Sequence, residues 1–223
     1  MHMTLPQRMY LLMYTVDKKK FEVQNLQFRG QKVRAAALAQ LLHGEFIGVR
    51  QGKRPKVVRQ VSGAPGDSFL DEVWRQVPAD NPQSWLNLLH PYAHTAESAV
   101  REQLAGTGEI TIPPVRGLKK LSLLAQHEVR VNRPETVLAV REQVREPVLR
   151  GLEPADLPFD DLAMTALAAE SDLYHVFSRE ERREHKKVLK AFDRHFDEKT
   201  SGLRHALSTS IQVLRPSGGG WGQ

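Results

Sequence analysis

The sequence predicts a mainly α protein, and three observations carry that expectation. From Pro134 onward nearly every residue falls in a capped, amphipathic helical segment. The strand-like runs before it are short and bounded by glycine- and proline-bearing turns. The chain has 223 residues, 40% hydrophobic and 26% charged, and no cysteine, so a packed core and not a disulfide framework must hold it.

Taken in order, residues 5–15 mix Leu, Met and Tyr and read as either a first helix or a buried strand. Asp17 to Lys20 reads as a turn, and Phe21 to Phe28 is ambiguous. From Gln31, Val33, Ala37, Leu38, Leu41 and Leu42 share one helical face. Three alanines favour the helix, and Gly44 stands where a left-handed cap residue belongs. Glu45–Val49 and Lys56–Val61 read as strands joined by the turn RQGKRP. After the loop SGAPGD, Ser68–Trp74 forms a short helix and Pro78–Pro82 breaks the chain. Ser84 then caps WLNLLH, and Thr95–Leu104 is helical before GTG and the strand EITI.

Beyond Pro113 and Pro114, VRGLKKLSLLAQHEVRV reads as a hairpin with a basic turn and an apolar LSLL, although LSLL reads equally well as a core strand. Pro134 opens ETVLAVREQV, and Asp160 or Asp161 caps LAMTALAAESDLYHVF. Ser178 and Glu181 have capping-box spacing for a helix through Phe196, with Val188, Leu189, Phe192 and Phe196 inward. Gly202 precedes LRHALSTSIQVL. The tail, residues 215–223, cannot build a core and reads as disordered, leaving 1–214 as one domain.

The N-terminal apolar run is too short for a signal peptide and no stretch reaches the length of a membrane span, so the expectation is a cytoplasmic protein that meets a membrane only peripherally. Net charge is +6, but between Thr15 and Gln60 eleven Lys and Arg face only three acidic residues, a local +8. No nucleophile elbow, phosphate-binding loop, dinucleotide fingerprint or zinc-protease motif occurs. His90 and His94 are separated by Pro91, and His185 and His195 face different ways on a charged helix, so all four read as solvated. Neither catalytic residues nor a metal or cofactor is expected.

The basic segment has a bland reading, a solvated charged face, and two sharper ones. Helix plus hairpin with QGKRP resembles a winged-helix unit whose cations meet DNA phosphates. Alternatively, Arg29, Lys32 and Arg34, just ahead of the apolar helix, hold a phosphate headgroup, for which the planar guanidinium fork is suited.

The ordered series of segments resembles the Golgi phosphoprotein 3 family. TLPQRMYLLMYTVD resembles the family's opening, and RAAALAQLLHGEFIGV its alanine- and leucine-rich helix. GDSFLDEVWRQV with SWLNLL, VREQL with GTGEI, and DDLAMTALAAESDLYHVF resemble its later motifs, covering about residues 4–214. The resemblance implies a single domain with a four-helix core, peripheral short helices and a β-hairpin. In eukaryotic members a basic pocket takes phosphatidylinositol 4-phosphate, the hairpin enters the bilayer, and tails of Golgi glycosyltransferases are clients; they are adaptors and not enzymes.

The family's pocket tryptophan falls at Gln24, and its pre-helix arginine at Val33 or Arg34, with Arg34 favoured. Its R-x-x-R pair becomes Ser98 and Arg101, or His94 and Glu97, according to register. Arg34 and Arg101 are therefore the expected phosphate ligands, supported by Arg29 and Lys32. Lys119, Lys120, Leu121, Leu123 and Leu124 are the expected membrane contacts, where each exposed cation is worth about 1 kcal/mol at an anionic leaflet. The expected partners are an anionic phospholipid membrane, a protein client, and a second copy paired through the hairpin. A winged-helix-like DNA-binding regulator is the alternative.

Overall fold

The computed structural model describes residues 3–21, 28–60, 63–114 and 128–214. Among them the chain is mainly α, with ten α-helices and three two-stranded antiparallel ladders. Residues 5–15 resolve into α1 (Leu5–Leu12) followed by β1 (Tyr14–Thr15), which pairs with β2 (Lys20–Phe21) across the lysine turn. Gln7 fixes the start of α1, its Oε1 accepting from the Thr4 backbone N–H at 3.1 Å.

Helix α2 (Arg29–His43) starts at Arg29, ahead of the predicted Gln31. Gly44 ends it with φ −77°, and the left-handed turn falls instead on Glu45 at φ 59°. Gly44 is needed for a different reason: a Cβ there would stand 2.9 Å from the Phe46 ring, which folds back as the Phe46 N–H bonds to the Leu41 carbonyl. Strands β3 (Ile47–Arg50) and β4 (Lys56–Arg59) then form the predicted hairpin, in register Ile47 to Arg59 and Arg50 to Lys56.

Asp67 caps α3 (Ser68–Gln76), accepting from Phe69 and Leu70 N–H groups, a contact worth about 1 kcal/mol. Ser84 caps α4 (Trp85–Leu89), and α5 (Ala93–Gly106) follows. Strand β5 (Ile110–Thr111) pairs with β6 (Arg130–Val131), so EITI partners the end of the segment read as a self-contained hairpin. Its body, residues 115–127, lies outside the described residues, as does the tail 215–223.

Pro134 occupies the first turn of α6 (Pro134–Leu149) as predicted. Helix α7 (Phe159–Glu170) is not capped by Asp160 or Asp161. Both lie in its first turn and pair with buried Arg8 of α1, at 3.7 and 3.1 Å. It also stops short of the predicted Phe177: Asp172 is left-handed at φ 52°, and cations from elsewhere take the terminal carbonyls of Ala169 and Ser171. The single helix predicted from Ser178 is two, α8 (Arg179–Glu184) and α9 (Lys186–Thr200), broken at His185 (φ −93°, ψ 20°). Helix α10 (Leu203–Leu214) closes the order after Ser201 and Gly202, both at positive φ.

Helices α1, α5 and α7 pack on α2, and α1 touches the other two, giving the four-helix core. Around it lie α3, α4, α6, α9 and α10. All of α2 is buried except Gln40, Leu42 and His43. Its small face, Ala35, Ala36, Ala37 and Ala39, lets neighbours approach from every side, the arrangement expected of a central helix.

Candidate functional site

The cations at the front of α2 do not form one patch. On a 3.6-residue helix Arg34, at i+5, leaves about 140° from Arg29, while Lys32, at i+3, starts on the same side as Arg29 but runs to a different partner. Lys32, fully buried, donates from Nζ to the Ser171 carbonyl at the carboxyl end of α7, at 3.0 Å. Arg34, 1% exposed, donates from Nε at 2.9 Å and from Nη2 to the Leu88 carbonyl in the last turn of α4. Its Nη1 reaches Gln76 Oε1, on the last residue of α3, at 2.6 Å. Burial pulls the Arg34 guanidinium down to about 10. Both side chains thus serve helix carboxyl ends, where the peptide dipoles leave partial negative charge.

Arg29 is placed differently. Its Nη1 lies 3.3 Å from Glu97 Oε1 on α5, and its guanidinium carbon lies 4.4 Å from the centre of the Phe21 ring on β2. Burial lowers its proton affinity. Glu97 and Tyr10 push it back up, and Arg101, one turn beyond Glu97 on α5, pushes it down again. Tyr10 feels the same neighbours: burial raises its hydroxyl, and the Glu97 charge raises it further. Among the described residues neither the Tyr10 hydroxyl nor Arg29 Nε has a hydrogen-bond acceptor. Arg29 and Tyr10 thus each bring a buried donor without an acceptor to a cluster that also holds Glu97 and Arg101.

This cluster adjoins the base of the β5–β6 excursion. Phe21 packs edge-on against Tyr10 and Tyr14, with ring centres 5.0 and 5.3 Å apart, and Tyr14 hydrogen-bonds the backbone of Val131 in β6. Exposed Lys18 and Lys19 occupy the turn between β1 and β2, and exposed Lys20 opens β2. The expected membrane contacts Lys119, Lys120, Leu121, Leu123 and Leu124 lie outside the described residues, as does Gln24.

The remaining basic residues of the segment, Arg50, Lys53, Arg54 and Lys56, are exposed on the β3–β4 hairpin, while Arg59 packs over Trp74 at 4.8 Å. The wing of the winged-helix alternative is thus present, but its recognition helix is not. Helix α2 is the buried centre of the core and has no face to lay in a DNA groove.

A protein-family model described as Golgi phosphoprotein 3 matches residues 5–212, nearly the whole chain. The chain belongs to the Golgi phosphoprotein 3 family. No curated protein sequence matches it. Among the residues that the resemblance to Golgi phosphoprotein 3 singled out, the fold brings Arg101 to Arg29 and separates both from Arg34. Ser98 turns its hydroxyl back to the Thr95 carbonyl at 2.8 Å, and His94 is exposed. Tyr10 and Phe21 were not legible as site residues, because their meeting with Arg29 depends on how α1, β2 and α5 pack.

Proposed function

We propose that this Golgi phosphoprotein 3 family member is a non-enzymatic, peripheral membrane adaptor whose cluster at Arg29 and Arg101 takes the phosphate of an anionic phospholipid headgroup. One observation carries the reading: Arg29 Nε and the Tyr10 hydroxyl are buried near a second arginine and have no hydrogen-bond acceptor among the described residues. Arg101 is half-buried and is the group that an incoming phosphate meets first; Arg29 lies behind it. Lys32 and Arg34 support the helix packing and do not touch the ligand. Lys18, Lys19 and Lys20, with Lys119, Lys120 and the apolar Leu121, Leu123 and Leu124, supply non-specific attraction and insertion at the leaflet. None of the described helices is long and apolar enough to cross a membrane, which fits a protein held at the surface. A phosphatidylinositol 4-phosphate-like headgroup and a protein client complete the adaptor role.

The test is sedimentation with vesicles containing neutral lipid, phosphatidylglycerol, phosphatidylinositol or phosphatidylinositol 4-phosphate at equal net charge. A preference for one headgroup that Arg101→Ala abolishes supports the site. Binding that tracks charge alone and ignores Arg101→Ala overturns it.

A further inference from the structure

A cavity of about 370 Å³ opens where α7, α9 and α10 converge, and it shares no residue with the Arg29 cluster. Its volume falls within the range of small-molecule sites. Positions i, i+3, i+4 and i+7 of α9 bring Lys186, Leu189, Lys190 and Asp193 to one wall, and Ser208, Ile211 and Gln212 of α10 supply another. Leu189 and Ile211 are buried and give the lining an apolar part, while Lys186 and Lys190 are exposed.

The charges on the α9 wall are not matched to one another. Lys190 and Asp193 are three residues apart, a spacing at which a lysine and a carboxylate can pair. Yet among the described residues neither Lys186 nor Lys190 has an ion pair or a hydrogen bond. Asp193 is 29% exposed, and its buried Oδ1 accepts no hydrogen bond. Arg204, 3.8 Å away, is shared with Glu170 and Asp197 at 2.6 Å each. Burial and those two acids raise the Asp193 carboxyl to about 6, so at neutral pH it is ionised and poorly compensated. The other charges of the lining are committed: Arg182 donates to the Phe177 and Ala169 carbonyls, Glu170 holds Arg204, and Asp172 is engaged as well. One wall of one cavity thus carries two lysines lacking an anion and a carboxylate lacking a cation of its own.

We propose that this cavity binds a small zwitterion of dipeptide size, with its carboxylate on Lys186 and Lys190 and its ammonium on Asp193. On a helix rising 1.5 Å per residue, Asp193 stands about 5 Å beyond Lys190 and about 10 Å beyond Lys186. An extended dipeptide spans about 7 Å and reaches both, whereas the two charges of a free α-amino acid sit too close together. Such a ligand brings no net charge. A simple anion would be opposed by Asp193, and a simple cation by the lysines. Leu189 and Ile211 offer an aliphatic side chain a place to leave water. None of this depends on the phosphate reading.

The experiment is calorimetric titration of the full chain, with thermal shift alongside, at neutral pH. The probes are L-alanyl-L-leucine, its N-acetyl form, which lacks the ammonium, and its C-terminal amide, which lacks the carboxylate. The free dipeptide should bind about tenfold more tightly than either blocked form, because each block removes a charge-assisted contact. Lys186→Gln/Lys190→Gln should bind the free dipeptide no better than the amide, and Asp193→Asn no better than the N-acetyl form. Equal binding of free and blocked forms overturns recognition of a zwitterion, and no binding of any of the three overturns the site. Undiminished binding by both variants places the dipeptide elsewhere and overturns it too. The three probes are compared on the unaltered chain, so a variant that fails to fold leaves the test intact. Failure here does not touch the phosphate reading, since no probe contains phosphate or lipid.

Discussion

Gly30 and Ala93 meet so closely that a Cβ built on Gly30 would stand 1.7 Å from the Ala93 carbonyl oxygen. The contact seats the first turn of α2 against the first residue of α5, and it is what delivers Arg29 to Glu97 and Arg101. In an isolated helix, Gly30→Ala would gain about 1 kcal/mol from backbone entropy. Here the new methyl meets backbone that cannot rotate away, and overpacking wins with a net loss of about 2 kcal/mol. Urea denaturation should show a lower midpoint with an unchanged slope. A stabilised Gly30→Ala would mean that α2 and α5 are free to slide.

Lys32 and Arg34 should behave as structural cations. Lys32→Met and Arg34→Met keep most of the side-chain volume but leave the Ser171 and Leu88 carbonyls without these charged donors, a loss of about 2 kcal/mol each. Their vesicle binding, measured well below the melting temperature, should match wild type in headgroup preference, unlike Arg101→Ala. A changed preference in Arg34→Met would return Arg34 to the ligand site.

The fold was legible wherever the information was local. The capping box at Ser178, the proline opening α6 and the hairpin around QGKRP all depend on neighbours in the chain, and all appear. What failed depended on distant partners. Asp160 and Asp161 look like caps until Arg8, some 150 residues away, takes them. Helix α7 looks continuous to Phe177 until Lys32 and Arg182 satisfy its carboxyl end early. The same blindness affected the site. Eleven cations in one segment read as a single basic surface, whereas packing buries Arg29, Lys32 and Arg34 against different elements and leaves the others on two separate hairpins, β1–β2 and β3–β4. Only Arg29 and Arg101 of the four expected ligands end up together, and no spacing rule connects them.

Arg145 and Glu181 tie α6 to the start of α8. Arg145 Nη1 lies 3.1 Å from Glu181 Oε2, while Glu181 also accepts from the Ser178 N–H in the capping box. The hydrogen bond from Arg145 is the main reason that the Glu181 carboxyl is held down to about 2, against 4.5 for a free glutamate. A carboxylate with a depressed folded pKa stabilises above its unfolded value and loses that contribution as the pH falls through the folded one. Glu181→Gln should therefore melt lower than wild type at neutral pH, with the difference closing between 4.5 and about 2. A difference that persists unchanged across that window would assign the effect to shape and not to charge.

Asp193 should titrate with the opposite sign. It lies in a concavity of about 370 Å³ between α7, α9 and α10, with Lys186 and Lys190 among the lining residues. Arg204 Nε is 3.8 Å from its Oδ1, but that guanidinium is already engaged by Glu170 and Asp197 at 2.6 Å each. Burial, reinforced by the charges of Glu170 and Asp197, outweighs Arg204 and Arg182 and raises the Asp193 carboxyl to about 6 from 3.8. A raised acid means that the folded state holds the proton more tightly than the unfolded chain, so stability falls as the pH rises from 3.8 to about 6 and stays reduced above it. Asp193→Asn removes that cost, and Arg204 keeps both remaining partners. The variant should melt higher than wild type near neutral pH, with the advantage shrinking as the pH drops towards 3.8. If Asp193→Asn is instead less stable at neutral pH, the Asp193 carboxylate is a required partner of Arg204, and the network tolerates three acids because the guanidinium needs all of them.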